Sequence, residues 1–326
     1  MNNGLKRLFS VVLFACVLFC ATFQEVKAEE LPYEQVYTPE QRDAINAALE
    51  DGSKLLPVGE EFRIKVKPDD LSIIEGLDDT WKNILLLGTD TGNIKLNYGR
   101  TDAMLVLSVN KRTGELKLTS LVRDMFVKIP NTSMHNRINA ANAFGGPLLA
   151  VKTVNETLGL NIKLYASINF SGFKDVVDAL GGVDIEITDT EARIIGIEKL
   201  EGAQTLSGDE ALQYVRIRKI GSNFGRNERQ RTFLVALLNK IKNSDIDTAI
   251  EALILSLSHM ATNMSINDIL PLVPLVIANQ KDMAMLSLPA KGDYALGSTS
   301  WGASVVYFNR QKTKDTFMRF VYLNED

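Results

Sequence analysis

The runs Asn83–Thr89 (NILLLGT) and Asp102–Leu121 (DAMLVLSVNKRTGELKLTSL) decide the fold. NILLLGT and the first part of the second run are short and almost continuously apolar, the pattern of strands buried on both faces. Asn110-Lys111-Arg112-Thr113-Gly114 reads as a turn, and Glu115–Leu121 alternates like a strand. Working outward, a helix is expected after Gly145-Gly146, with Pro147 at its first position and Gly159 at its end. A strand over 163–169, a helix capped by Ser171 and ended by Gly181-Gly182, and a strand over 183–187 follow. That strand-helix-strand order predicts parallel pairing in part of the sheet. Ser207-Gly208-Asp209-Glu210 is a capping box opening a short helix. The alternation around Tyr214–Arg218 reads as a strand. A long amphipathic helix over 224–242 then carries Phe233, Leu234, Leu237, Leu238 and Ile241 on its apolar stripe. Helices and strands alternate through the C-terminal third. The expected class is α/β, a single domain with a mixed central sheet and helices on both faces.

Upstream of Trp81 the pattern changes. Lys6 and Arg7 precede an apolar run over Leu8–Phe23, shorter than the roughly 20 residues a spanning helix prefers. Val26-Lys27-Ala28 has the form of a small-residue cleavage site. Residues 1–28 are thus expected to be a secretory signal or an uncleaved membrane anchor, and the protein an exported one. Residues 29–80 are polar, with Pro32, Pro39, Pro57 and Pro68, and read as a linker or N-terminal extension holding one short helix capped by Thr38. The main domain is expected over 81–326.

Composition narrows the chemistry. The 326 residues are 45% hydrophobic, enough for a full core, and the formal net charge is −4. A strongly basic nucleic-acid binder is not indicated. Both cysteines, Cys16 and Cys20, lie in the N-terminal apolar run, so the body holds no thiol for a disulfide, a nucleophile or a metal. The two histidines, His135 and His259, give little material for a zinc site or a Ser-His-Asp triad. His135 is expected in a loop and His259 on a helix near the core. Phe126, Phe144, Tyr165, Phe170 and Phe173 are read as core.

Three features carry charge that a packed core does not require. Asp90 follows the first strand and Asp102 opens the second. If these strands are antiparallel neighbours and the third pairs with the second, Asp90, Arg100, Asp102 and Arg123 gather at one sheet edge. Two carboxylates beside arginines suit Mg²⁺ and a phosphate together. Next, strand alternation over Tyr214–Arg218 would put Arg216 and Arg218 on one face, about 7 Å apart, where they repel unless an anion lies between them. Last, Arg226, Arg229 and Gln230 fall in the first turns of the long helix. Cations there are sensible if a bound anion also uses the free backbone N–H groups.

Taken in order and spacing, these motifs resemble the LytR-CpsA-Psr proteins of bacterial cell envelopes. The resemblance runs from about Ile84 to Leu238. It rests on Leu86-Leu87-Gly88-Thr89-Asp90, Gly99-Arg100-Thr101-Asp102, Val122-Arg123-Asp124, Arg137-Ile138-Asn139, Gly145-Gly146-Pro147, Val177–Val183, Tyr214-Val215-Arg216-Ile217-Arg218, Phe224-Gly225-Arg226 and Glu228-Arg229-Gln230. It implies an extracytoplasmic phosphotransferase that moves a glycopolymer from an undecaprenyl pyrophosphate carrier to peptidoglycan, at the outer face of the cytoplasmic membrane or in the cell wall. By the same resemblance Asp90 and Asp102 would bind Mg²⁺, with Mn²⁺ as a substitute. Arg100, Arg123, Arg216, Arg218, Arg226 and Gln230 would hold the pyrophosphate, and Arg123, Arg216 and Arg218 would also act in catalysis. The implied partners are a polyprenyl-pyrophosphate-linked glycan, peptidoglycan and the membrane surface, with no nucleic acid. The chain departs from the family at Asn223 and at Gly221-Ser222, where acids are frequent, and at Ala140, where a histidine is common. A phosphatase using water as acceptor and a non-catalytic lipid-pyrophosphate or wall-binding protein are the alternatives. A transcriptional regulator is disfavoured by the export segment and the acidic balance.

Overall fold

A computed structural model describes residues 64–89, 99–132, 135–198, 202–217, 260–269, 283–299 and 304–323, with scattered positions between 229 and 275. The expected signal or anchor and the helix capped by Thr38 lie outside the described residues, as do Asp90, Arg218, Asn223, Arg226, Gln230 and His259.

The apolar runs become β1 (Trp81–Thr89), β2 (Thr101–Asn110) and β3 (Leu116–Leu121), paired antiparallel in sequence order. A hairpin, β4 (Phe126–Lys128) and β5 (His135–Arg137), follows, so His135 is a strand residue rather than a loop residue. Next come α1 (Ala140–Leu158), β6 (Leu164–Asn169), α2 (Phe170–Ala179), β7 (Val183–Ile185), α3 (Asp189–Ile195), β8 (Gln204–Leu206) and α4 (Gly208–Arg216). The C-terminal part adds β9 (Met260–Thr262), the one-turn α5 (Ile266–Ile269), β10 (Ala284–Leu288), β11 (Tyr294–Ser298), β12 (Ser304–Phe308) and α6 (Arg310–Met318). A π-helical turn, Arg319–Leu323, closes it.

The main sheet has six strands in the order β10-β3-β2-β1-β6-β9. It is mixed as expected, because β6 runs parallel to β1 and β10 parallel to β3. The parallel partner was misassigned from sequence, however. The strand after α2 does not join this sheet; β7 pairs antiparallel with β8 in a separate ribbon. Gly182, at φ +85, makes that possible: a Cβ there would stand 2.9 Å from the Leu206 carbonyl oxygen.

The chain divides into two compact units, here called the strand unit (Ser53–Asn169, Ala261–Met264, Asp282–Asp326) and the helical unit (Phe170–Met260 and Ser265–Lys281, with Met1–Gly52). In the strand unit, Ile84 and Leu85 point to opposite faces of β1 and both have no exposed surface. Each such side chain contributes about 1.5–3 kcal/mol of burial. One face, through Trp81, Leu85 and Leu87, packs in a single core with Leu149, Val154 and Leu158 of α1 and with Phe317 and Phe320 near the C-terminus. Asn83 projects into this face and is satisfied there: its amide donates to Asn161 Oδ1 (3.1 Å) and Tyr322 Oη (2.8 Å), while Ser108 donates to its oxygen (2.7 Å). The register Gly88↔Ala103 brings β1 and β2 close at their site end, a Cβ on Gly88 falling 3.2 Å from that of Ala103.

Helix α1 starts at Ala140, before the expected opening after Gly145-Gly146; those two glycines are a non-helical kink inside it, with Pro147 just after, and Gly159 ends it as expected, left-handed at φ 68. Residues from Ile64, expected to belong to an extension, run along this helix. Ile64 N–H donates to Phe144 O (3.0 Å), Lys152 Nζ reaches Asp70 (2.6 Å), Asn155 donates to Leu71 O (2.8 Å) and Ser72 donates to Glu156 (2.9 Å).

In the helical unit, Ser207 and Glu210 form the expected capping box, but the helix it opens runs through Arg216. Tyr214–Arg216 is therefore helical and not a strand, so strand alternation does not present Arg216, and Arg218 lies outside the described residues. Gly208, Ala211 and Tyr214 recur every third residue on the buried side, and this period outweighs a five-residue alternation. Ser171 lies inside α2 rather than capping it, while Gly181 and Gly182 end that helix as expected, Gly182 N–H donating to Val177 O. Positions 229, 232, 233, 236, 237, 239, 240 and 243 are helical, with Phe233 and Leu237 buried, in keeping with the long amphipathic helix.

Candidate functional site

The edge foreseen for the carboxylates exists in the strand unit. Thr89, the last residue of β1, pairs with Thr101, the first of β2, so the 90–100 segment leaves and returns at one place. Leu105 pairs with Ser120, which delivers the end of β3 to the same edge. Arg123 follows two residues after β3 and its guanidinium donates directly to Asp102 Oδ1. Its Nε lies 3.6 Å from Asp124, and Arg137 on β5 lies 3.5 Å from the other oxygen of Asp124. The order Asp102–Arg123–Asp124–Arg137 is an alternating chain of charges with side chains only 16–21% exposed. Backbone bonds fix it. Thr101 N–H donates to Asn139 O (3.4 Å), Asn139 N–H to Arg123 O (3.2 Å), and Ile138 N–H to Met125 O (2.8 Å). Asn142 holds the Gly99 carbonyl at 2.8 Å.

Several buried polar atoms at this edge have no hydrogen-bond partner among the described residues: Thr101 Oγ1, Asp124 Oδ1, Arg137 Nε and Asn139 Oδ1. Leaving such groups unsatisfied costs about 1–3 kcal/mol each, which marks the edge as built to meet something polar. The donor chemistry fits a hard cation: the two carboxylates are the ligand type that Mg²⁺ prefers. No group of three or more His, Cys, Asp or Glu able to hold a metal occurs among the described residues. An ion here would therefore share one or two carboxylates with phosphate oxygens and water, the usual habit of Mg²⁺.

Of the residues singled out from sequence, Asp102 and Arg123 are brought into contact, and Arg100 lies exposed at the end of the loop beside them. Asp124, Arg137 and Asn139 belong to the same network and were not assigned a role. The motif Arg137-Ile138-Asn139 was visible, but strands of only three residues leave no periodicity to show that Arg137 returns beside Asp124.

Of the arginines expected to hold the pyrophosphate, Arg216 is the one described in the helical unit. Helices α2 and α4 lie antiparallel: Asp178 accepts from Gly208 N–H (2.7 Å) and Lys174 pairs with Asp209 (3.0 Å) at one end. At the other end the Arg216 guanidinium stacks 4.5 Å above the ring of Phe170, the first residue of α2. Arg216 is exposed, and its stacking on Phe170 holds the guanidinium at the start of α2. Arg229 serves differently. It is 5% exposed and its Nε lies 3.3 Å from Glu191, whose other oxygen closes the capping box of α3. Arg229 thus ties the long helix to α3.

The sequence model described as the LytR_cpsA_psr family matches residues 40–316. Two similar proteins, from Enterococcus faecalis and Oceanobacillus iheyensis, are both named polyisoprenyl-teichoic acid–peptidoglycan teichoic acid transferase TagU. The first is 35% identical over 190 residues, 57% of this chain, and the chain spans 62% of that relative's length, less than two thirds. The second is 33% identical over 244 residues, 72% of this chain and 75% of the relative. Among solved structures, TagT bound to LI-WTA superposes with a TM-score of 0.60 at 28% identity, covering 77% of this chain and 95% of that one.

Proposed function

The chain belongs to the LytR_cpsA_psr family, and we propose that it is a phosphotransferase that moves a glycopolymer from a polyprenyl pyrophosphate carrier to peptidoglycan, outside the cytoplasmic membrane. The observation that carries this reading is the Asp102–Arg123–Asp124–Arg137 chain at the strand edge. Two arginines face two aspartates, so the cluster is balanced as it stands. A pyrophosphate alone would leave it too negative and a divalent cation alone too positive. The two together preserve the balance, which is the electrostatic signature of a Mg²⁺–pyrophosphate site. The names of the similar teichoic acid transferases support the same chemistry.

In this reading a hydroxyl of the wall glycan attacks the phosphorus that bears the polymer. The bond from that phosphorus to the bridging oxygen breaks, prenyl monophosphate leaves, and the hydroxyl proton ends on it or in water. Arg123 and Arg137 meet the equatorial phosphoryl oxygens. Asp102 and Asp124 hold both guanidiniums in place before substrate arrives, so little reorganisation is needed during transfer. Arg216, stacked on Phe170 in the helical unit, is a pyrophosphate ligand in this proposal. Arg100, Arg218, Arg226 and Gln230 are further pyrophosphate ligands in this proposal. Asp90 and Asp102 would hold Mg²⁺ or Mn²⁺, whose charge offsets that of the pyrophosphate oxygens when bound.

The test is a transfer assay with a radiolabelled prenyl-pyrophosphoryl oligosaccharide and purified peptidoglycan. Label in the insoluble wall, matched by prenyl phosphate released, is expected. Release without attachment would make the protein a phosphatase.

A further inference from the structure

A face of the β4–β5 hairpin leads away from the charged chain and shares only Arg137 with it. Phe126 and Lys128 alternate onto one face of β4, and Arg137 and His135 stand opposite them on β5. Val127, between them, turns inward and is buried in the core. The outward face therefore presents one cation at the charged chain, Arg137, and another, Lys128, farther out and exposed. Between them lie rings: Phe126 is 5.8 Å from His135, tilted by 31°, and 5.5 Å from Tyr307 of β12, edge to face.

Tyr307 is unusual for a surface tyrosine. It is 43% exposed and yet held on two sides. The ring lies over Gly297 on β11, so closely that a Cβ there would stand 2.7 Å from Tyr307 Cε2. Phe126 fixes its edge. The strand that carries it is locked to the charged chain, because Val306 N–H donates to Asp124 O at 2.8 Å. An exposed ring that has already lost its rotamer freedom binds a flat apolar face at low entropic cost.

We propose that Tyr307 and Phe126 form a saccharide subsite, on which the sugar joined to the transferred phosphate lays the C–H face of its ring. The subsite rests on the phosphotransferase reading and deepens it. The chemistry fits a sugar adjoining a phosphate: an aromatic platform for the ring's apolar face, beside a guanidinium for its phosphate and with an ammonium at its outer rim. An apolar partner alone would not require Lys128 and Arg137 on the same face.

The experiment uses the full chain and two soluble probes, farnesyl pyrophosphate and farnesyl pyrophosphoryl-N-acetylglucosamine, with binding measured by calorimetry in Mg²⁺. The sugar-bearing probe is expected to bind the native protein more tightly. Tyr307→Ala should weaken that probe about tenfold and leave the sugar-free probe unchanged. Tyr307→Phe, which keeps the ring, should bind both normally. Gly297→Ala, which displaces the ring without removing it, should reproduce the selective loss. Equal affinity for the two probes in the native protein, or equal weakening of both in Tyr307→Ala and Gly297→Ala, overturns the subsite and leaves the phosphate reading standing. Tyr307-dependent binding of a phosphate-free N-acetylglucosamine oligomer, with no gain for the sugar-bearing probe, would assign the platform to the acceptor strand and overturn it as well. Failure of the native protein to bind either probe would overturn both readings.

Discussion

Arg123 and Asp102 lie 21 residues apart in sequence and are joined by a direct charged hydrogen bond, the end of β3 meeting the start of β2. Arg123 also reaches Asp124 through Nε, so one planar guanidinium serves two carboxylates at once. A lysine is a point charge and cannot do this. Arg123→Ala should lower kcat/KM for polymer transfer by about 10²–10³, and Arg123→Lys should restore only part of it. Loss of the charged hydrogen bond should cost about 1–3 kcal/mol of stability, within what a folded variant tolerates. Denaturant melts beside the transfer assay separate the two effects; full activity in Arg123→Ala would remove Arg123 from the mechanism.

The balanced charge chain makes a second expectation quantitative. Mg²⁺ should tighten pyrophosphate binding, and pyrophosphate should tighten Mg²⁺ binding by the same factor, about 5–150-fold. Calorimetric titration of each ligand with and without the other checks this. Pyrophosphate affinity that ignores chelation of the cation would show that the arginines alone neutralise it.

Glu191 joins two elements: Oε2 accepts from Thr188 N–H at 2.9 Å and Oε1 lies 3.3 Å from Arg229. Glu191→Ala should therefore destabilise the protein by about 3 kcal/mol or more, since it strips a cap and a buried charge partner together. Thr188→Ala, which removes only the cap, should cost about 1 kcal/mol. Urea midpoints of the two variants test the difference, and equal losses would mean that the Arg229 pair contributes nothing.

Burial holds the Tyr322 hydroxyl above the ordinary tyrosine value of 10.0, opposed by the hydrogen bond from Asn83 and reinforced by the charge of Asp78. Because the folded value is raised, this group's contribution is fully present below pH 10.0 and is lost as pH rises through the folded value. The native protein should lose stability in that alkaline window, and Tyr322→Phe should lose less of it. Thermal melts across the window decide: identical alkaline slopes would place the sensitivity elsewhere.

The strands and the site were legible to different degrees. NILLLGT and DAMLVLSV declared β1 and β2 because strands buried on both faces leave a run that needs no partner to be recognised. From them the meeting of Asp102 with Arg123 followed by geometry alone. The partner of β7 did not, since pairing with β8 depends on the room Gly182 leaves for Leu206, a contact between distant residues. Arg216 was placed on a strand because five alternating residues suit either period, and only the burial of Gly208, Ala211 and Tyr214 resolves it. Phe126 was read as core; it is half-buried, and its distinguishing neighbour, Tyr307, comes from the other end of the chain.

The pairing of β3 with β10 has a consequence for how the protein acquires its shape. Lys117 of β3 waits for Ala284 beside it and for Phe320, whose carbonyl it caps at 2.5 Å. Until those residues are synthesised, β3 is an open edge with its N–H and C=O groups on offer to any passing strand. Closure of so many distant contacts sets a slow folding rate. The nascent protein therefore spends its early life as a chain that must be kept from pairing with its neighbours, and its C-terminal turns are the stroke that ends that vulnerable period.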